Sequence, residues 1–180
     1  MGRLQDDLKQ RRPFTSVEEE TYLNLVRTTD FLSREVAAVL KPHQLSEAQY
    51  NVLRILRGAG QAGHTCSDIA SRLVTRDPDV TRLLDKLEAR ALLARSRAHT
   101  DRRVVTTRIT APGLALLKSL DRPLREAVER MLAHMPATQL GALTGLLERA
   151  RQAVPAGEAR AAAPRATGAR AGRGGGRATD

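Results

Sequence analysis

The fold of this chain is decided by residues 77–110, which read DPDVTRLLDKLEARALLARSRAHTDRRVVTTRIT. The first part of this stretch places its apolar residues on one side of a helix, at Val80, Leu83, Leu84 and Leu87. After Ala91 the apolar period changes to two, which predicts strands over residues 92–98 and 104–110. The polar turn HTDRR at residues 99–103 joins these strands. An amphipathic helix followed directly by a β-hairpin with a charged tip is therefore expected.

Polar signatures mark where the helices begin. Ser16 with Glu19 and Ser46 with Gln49 have capping-box spacing, and Thr65 with Asp68 predicts the start of a short third helix. Asp77 is predicted as the N-cap of the next helix, with Pro78 as its first residue. In chain order, the helices are predicted over residues 16–40, 46–57, about two turns after residue 65, 77–91, 111–134 and 137–153. Pro123 is predicted to kink the helix that contains it.

The two ends of the chain lack this patterning. Residues 1–15 are predicted to be a flexible N-terminus, and residues 154–180 to be a disordered basic tail rich in Ala, Gly and Arg. A length of 180 residues suits one domain with a core better than two. Residues 16–153 are therefore predicted to form a single domain.

The charge of the chain points to a polyanionic partner. Lys and Arg number 30 against 20 Asp and Glu, which gives a formal net charge of +10. Aromatic residues make up only 2% and Trp is absent, so the stacking surfaces of single-strand binders are nearly lacking and double-stranded DNA is favoured. With no signal peptide and no apolar run that could span a bilayer, we expect a cytoplasmic, nucleoid-associated protein with no membrane partner.

Short helices followed by a basic hairpin have the order of a winged helix-turn-helix, so the predicted fold is mainly α with a small β-hairpin wing (α+β). Arg82 projects away from the apolar side of its helix and is the best candidate for bidentate contact with guanine. In the hairpin, only Asp101 opposes five arginines: Arg95, Arg97, Arg102, Arg103 and Arg108. Such density indicates contact with phosphate or insertion into the minor groove. The predicted DNA-binding residues are Arg76, Asp79, Thr81, Arg82, Lys86, Arg97, Arg102 and Arg103.

A plainer interpretation exists for the basic helix face. Arg82, Lys86 and Arg90 could form a solvated surface with i,i+4 ion pairs to nearby acids such as Asp85 and Glu88. The acids themselves, Asp79 included, could accept hydrogen bonds from cytosine or repel phosphate. DNA contact is favoured over this interpretation more strongly for the hairpin than for the helix.

Three stretches resemble the MarR (multiple-antibiotic-resistance regulator) family: DPDVTRLLDKLEARAL at residues 77–92, DRR at 101–103 and TAPG at 110–113. The resemblance covers about residues 17–153. It implies an obligate homodimer in which residues 16–40 and 111–153 dimerise and residues 46–110 form the DNA-binding lobe. It also implies a palindromic operator and release by a small ligand or an oxidant.

The same resemblance assigns individual roles. Arg103 is similar to the wing arginine that enters the minor groove, Asp101 to the acid that braces it, and Thr81 and Arg82 to the recognition positions. Ala91 stands where the family usually has a glycine suited to a left-handed turn, so a strained or altered wing angle is expected. Pro136 replaces the usual serine before the last helix, which weakens the expected cap there.

Few residues suggest other chemistry. Cys66, the one cysteine, is read as a small buried residue in preference to a redox sensor. The four histidines have no metal-ligand spacing, and no phosphate loop or catalytic triad is present, so we expect no metal, no cofactor and no enzymatic activity. For an effector pocket, the sequence offers only Tyr22 and Tyr50 as candidates.

The resulting hypothesis is a transcriptional repressor that binds a palindromic operator as a homodimer. Two alternatives stay open at this stage. A non-specific architectural DNA-binding protein could use the arginine-rich tail, and a helical interaction protein could offer its basic hairpin to an acidic partner.

Overall fold

A computed structural model of the chain describes residues 3–77, 79–97 and 105–152. In these residues the elements are α1 (Arg3–Asp7), α2 (Val17–Leu40), a 3-10 turn (Lys41–His43), α3 (Glu47–Ala59), α4 (Cys66–Arg72), α5 (Val80–Ala89), β1 (Leu93–Arg97), β2 (Val105–Ile109), α6 (Ala111–Leu132) and α7 (Ala137–Gln152). The chain divides into two units, Met1–His134 and Met135–Asp180. The first unit has the predicted order of helices followed by a hairpin, and α6 continues through Pro123.

The core of the first unit lies between α3, α5, the hairpin and α6. Its fully buried side chains are mostly leucines from these elements: Leu53, Leu56, Leu84, Leu87, Leu93, Leu117 and Leu120. Val80, Leu84 and Leu87 are buried while Thr81, Arg82, Asp85 and Lys86 are exposed, so the predicted sidedness of α5 is confirmed. Helix α5 is thereby held by one face, and its other face is open to solvent.

The hairpin pairs antiparallel from Leu93 opposite Ile109 to Arg97 opposite Val105. A third backbone segment pairs with β2 at one point. There His64 and Thr107 exchange two hydrogen bonds, of 3.0 and 2.8 Å. Gly63, with φ +66°, makes this approach possible, since a Cβ there would lie 2.5 Å from the Thr107 carbonyl oxygen. The sequence had indicated only a glycine-rich connection at this point.

Two of the predicted helix starts form as expected. Ser46 with Gln49 and Thr65 with Asp68 make both halves of a capping box. At α2, Ser16 accepts from the Glu19 amide, but the Glu19 carboxylate accepts from the amide and hydroxyl of Thr15 instead of from Ser16. These bonds from Thr15 lower the pKa of Glu19.

The predicted start of the recognition helix was wrong by two residues. The N-cap is Asp79, whose Oδ1 accepts from the Arg82 amide at 3.0 Å, and α5 begins at Val80. Asp77 instead accepts from the Asp79 amide at 2.8 Å, which forms a turn before the helix. Two acids two residues apart can each cap, and the sequence alone does not decide which one does. Pro78 lies outside the described residues.

The chain ends differ in what the structure describes. Within residues 1–15, α1 forms a short helix in which Leu4 is buried. The Asp7 Oδ2 lies 3.8 Å from the Arg27 Nε of α2. The predicted basic tail, residues 154–180, lies outside the described residues. In the second unit, Pro136 contributes only its carbonyl to the start of α7, where it accepts from the amides of Gln139 and Leu140.

Candidate nucleic-acid interface

The exposed face of α5 is basic and polar. It presents Thr81, Arg82 and Lys86, with Arg76 exposed just before the helix. Within the part of the chain that the structure describes, no ion pair engages Arg82 or Lys86, so the i,i+4 interpretation of this face is not observed there. These two cations are therefore available to an external anion. Asp79, also predicted to contact DNA, uses one carboxylate oxygen to cap the helix.

The hairpin places Arg97 exposed at the end of β1. The residues predicted to act at the hairpin tip, Asp101, Arg102 and Arg103, lie outside the described residues, so their roles stay predictions. In the described part, β1 comes directly after α5 in the chain and is joined to it by Arg95, which bonds to Glu88. That proximity is the arrangement a winged helix needs to contact two grooves of one duplex.

Two of the five wing arginines do not face outward as expected. The Arg95 Nε donates to Glu88 Oε2 at 2.8 Å and its guanidinium also pairs with Asp85. The Arg108 Nε donates to the Gln61 carbonyl at 2.7 Å, and its Nη1 donates to Ser96 Oγ at 2.8 Å. Asp101 is the only acid within the hairpin sequence, but two acids of α5, Asp85 and Glu88, reach Arg95 across the helix–strand joint.

This ion cluster also changes acid–base behaviour. The hydrogen bond from Arg95 lowers the pKa of Glu88 below its ordinary value. In turn, the bonds to Glu88 and then Asp85 raise the pKa of Arg95. Both groups therefore stay charged and paired at neutral pH.

The joint between α5 and β1 is a left-handed turn, as the resemblance implied. Ala91 has φ +54°, its amide donates to the Glu88 carbonyl at 2.8 Å, and the Leu92 amide donates to the Leu87 carbonyl at 3.0 Å. This is the Schellman pattern, usually built on glycine. The Thr110 hydroxyl donates to the Ala91 carbonyl at 2.6 Å and accepts from the Gly113 amide, so the TAPG segment fastens α6 to the same joint.

Cys66 and the histidines are the residues for which a redox role or a metal site was considered in the sequence. Cys66 is half-buried, and its Sγ lies 3.9 Å from the Thr81 Oγ1. Across residues 3–77, 79–97 and 105–152, no group of three His, Cys, Asp or Glu side chains is arranged to hold a metal ion. The helices of those residues include none long and apolar enough to cross a membrane.

A cavity of about 930 Å³ lies next to the turn that leads into α5. Its walls come from α2, α3 and α6 and from Val74 and Thr75, in the turn between α4 and α5. Arg57 and Asp121 both line it and form an ion pair, with the Arg57 Nη1 2.9 Å from each carboxylate oxygen. Of the two candidate effector residues, Tyr50 lines the cavity, whereas Tyr22 is exposed on α2 and is not part of the lining.

The sequence profile of the MarR family matches residues 45–105, from just before α3 into the hairpin. The homoprotocatechuate degradative operon repressor of Escherichia coli is 30% identical over 110 residues, which are 61% of this chain and 73% of the repressor. The chain belongs to the MarR family. The resemblance read from residues 77–113 is thereby confirmed.

Solved structures agree with this assignment. The MarR transcription factor from Planctomyces limnophilus is 41% identical, with a TM-score of 0.59, over 76% of this chain and 98% of that one. MepR of S. aureus in its DNA complex shares the fold at a TM-score of 0.67 and 21% identity, over 79% and 100% of the two chains. The predicted winged-helix fold is confirmed, and this MarR protein is a transcriptional regulator, as its relatives are.

Proposed function

We propose that this MarR protein represses transcription by binding a palindromic operator in double-stranded DNA as a homodimer. The observation that carries the proposal is the exposed face of α5, where Arg82 and Lys86 project from a helix whose opposite face is buried. A rigid helix with free cations on one side matches major-groove recognition, in which Arg bonds bidentately to guanine. Arg76, Thr81 and Arg97 extend the same contact surface, and Arg102 and Arg103 are proposed to complete it at the wing tip with Asp101 as brace.

A second copy of the chain is supported by α2. This helix has 24 residues, of which only Leu40 is buried. Several of its apolar side chains are exposed in the single chain: Val17, Tyr22, Leu25, Val26 and Phe31. Exposed apolar patches of this kind mark interaction surfaces. In α7, Leu143 and Leu146 are also exposed, which supports the proposal that α2 and α7 take part in dimerisation.

The cavity supports control by a small molecule. A volume of about 930 Å³ suits a small organic ligand, and the lining combines apolar side chains with a few charged ones. Because Val74 and Thr75 belong both to the cavity wall and to the turn before α5, an occupant would bear directly on the start of the recognition helix. We infer that effector binding there alters operator affinity, with Tyr50 as a contact.

The proposal is tested by selecting bound duplexes from a random library and measuring affinity for the selected duplex and a scrambled one. We expect a two-fold symmetric consensus and a preference of at least about 1,000-fold at physiological salt. Equal affinity for both duplexes would contradict sequence-specific repression. Deleting residues 154–180 separates the alternative, because an architectural protein that relies on its basic tail would lose most of its binding.

A further inference from the structure

The least exposed of the ion-paired arginines lies at the joint between helix and wing. Arg95 is on β1, and its side chain is 25% exposed, whereas the other arginines in ion pairs range from 37% to 80%. Glu88 of α5 holds it at two points, accepting from the backbone amide at 3.0 Å and from Nε at 2.8 Å. Asp85, one turn earlier on α5, pairs with its Nη2.

This cluster ties two elements that carry separate parts of the DNA interface. Strand β1 leads to the exposed Arg97, while α5 carries Arg82 and Lys86. The opposite strand is held independently, since Arg108 donates to the Gln61 carbonyl and Thr107 pairs with His64. The wing root is therefore braced on both strands, and Glu88 with Arg95 is the brace to the recognition helix.

We propose that Arg95 is a positioning residue, which fixes the angle between wing and recognition helix through Glu88 and Asp85 without contacting DNA. The inference rests on the proposed DNA-binding function. It follows from geometry, because the Nε and Nη2 of this guanidinium already bond to two carboxylates, whose combined charge outweighs its own and makes the cluster unattractive to phosphate. A planar guanidinium that bonds at several points fixes the orientation of its partners, whereas a point charge such as that of lysine does not.

The sign of the effect on affinity separates this proposal from direct contact. Removing an acid from a DNA-binding surface normally strengthens binding, because it removes repulsion from phosphate. If Glu88 acts by holding Arg95, removing it should weaken binding instead. The positioning role therefore predicts the opposite of simple electrostatics.

The test uses the full chain with Glu88→Ala, Arg95→Met and the double variant, and the duplex selected above as probe. We expect each single variant to bind at least about tenfold more weakly, since a loosened wing loses phosphate contacts, and the double variant to bind no more weakly than Arg95→Met. Arg97→Met is the matched control on the same strand. It should lower the salt slope by about 1, as a lost phosphate contact does.

A readout without DNA accompanies these affinities. Hydrogen exchange at the Arg95 amide should be accelerated in Glu88→Ala by more than exchange at the Thr107 amide, because only the Arg95 amide loses its acceptor. Unchanged exchange, equal or tighter binding by Glu88→Ala, or additive effects of Glu88→Ala and Arg95→Met would each overturn the proposal. If the wild type prefers no duplex, the repressor function fails, and the exchange rate still decides whether the brace exists.

Discussion

Ala91 carries the left-handed turn that sends the chain from the recognition helix into the wing. Its φ of +54° costs an L-residue with a Cβ about 1–2 kcal/mol relative to the right-handed region. The surrounding structure holds it there, through the Schellman hydrogen bonds of Ala91 and Leu92 and through the Thr110 hydroxyl. A residue that breaks a local preference is thus kept in place by three separate contacts.

Replacing Ala91 by glycine should stabilise the protein. We expect Ala91→Gly to raise the free energy of unfolding by about 1 kcal/mol, because glycine adopts this turn without strain. Ala91→Val should lower it, since a β-branched side chain fits this region poorly. Urea unfolding of the three proteins measures both effects, and a less stable Ala91→Gly would show that the turn is not strained.

Gly113 should tolerate no side chain. A Cβ there would lie 2.2 Å from the Leu92 carbonyl oxygen, and both are backbone positions that cannot move aside cheaply. We expect Gly113→Ala to destabilise the protein by about 3 kcal/mol or more, or to prevent folding.

Gly141 of α7 provides the matched control for this substitution. A Cβ added at Gly141 would meet no atom within 4 Å beyond its chain neighbours and the nearby backbone of its own helix. Gly141→Ala should therefore stabilise by roughly 0.5–1 kcal/mol through helix propensity. Similar effects of the two substitutions in thermal unfolding would contradict the close approach at Gly113.

Between elements, the ion cluster of α5 and β1 makes stability depend on pH. The pKa of Glu88 is lowered in the folded protein by Arg95, so its contribution is present above the ordinary value of 4.5 and is lost as pH falls through the lower folded value. The wild type should therefore be more stable than Glu88→Ala at neutral pH, and the difference should shrink in acid.

Urea midpoints of the two proteins, measured from neutral to acidic pH, check this expectation. Arg95→Met removes the cause of the lowered pKa of Glu88. The stability difference between this variant and the wild type should therefore also shrink as the pH falls. A difference that stays constant across the acid range would mean that Glu88 is not held by Arg95 in solution.

The helices and strands that could be predicted are those marked by capping residues or by the spacing of apolar side chains. Ser46, Thr65 and the change of period after Ala91 located α3, α4 and the hairpin, because caps and apolar spacing are local signals. The pairing of His64 with β2 was not predictable, because pairing through the backbone leaves no pattern in the side chains. Only Gly63 indicated a close approach there. The partners of Arg95 were missed for a similar reason. Their separation, seven and ten residues, is fixed by the angle between helix and strand and by no sequence rule.

For the whole molecule, the exposed apolar face of α2 is the surface proposed to hold two copies of the chain together. Val26 is 49% exposed in the single chain, so Val26→Glu should leave the fold intact and weaken the proposed dimer. Val105→Glu is the matched control, because Val105 is 39% exposed in β2, which belongs to the DNA-binding lobe and not to the segments proposed to dimerise. Sedimentation equilibrium should show a monomer for the first variant and a dimer for the second. A dimeric Val26→Glu would argue against the α2 interface.

In the proposed complex, α5 reads bases through Arg82. The decisive measurement is the affinity of wild type and Arg82→Ala for the selected duplex and for duplexes with one base pair changed at each position. We predict that Arg82→Ala weakens binding by about 1–3 kcal/mol and loses discrimination at one position in each half-site, while keeping it at the others. An Arg82→Ala protein that discriminates at every position as the wild type does would contradict the account.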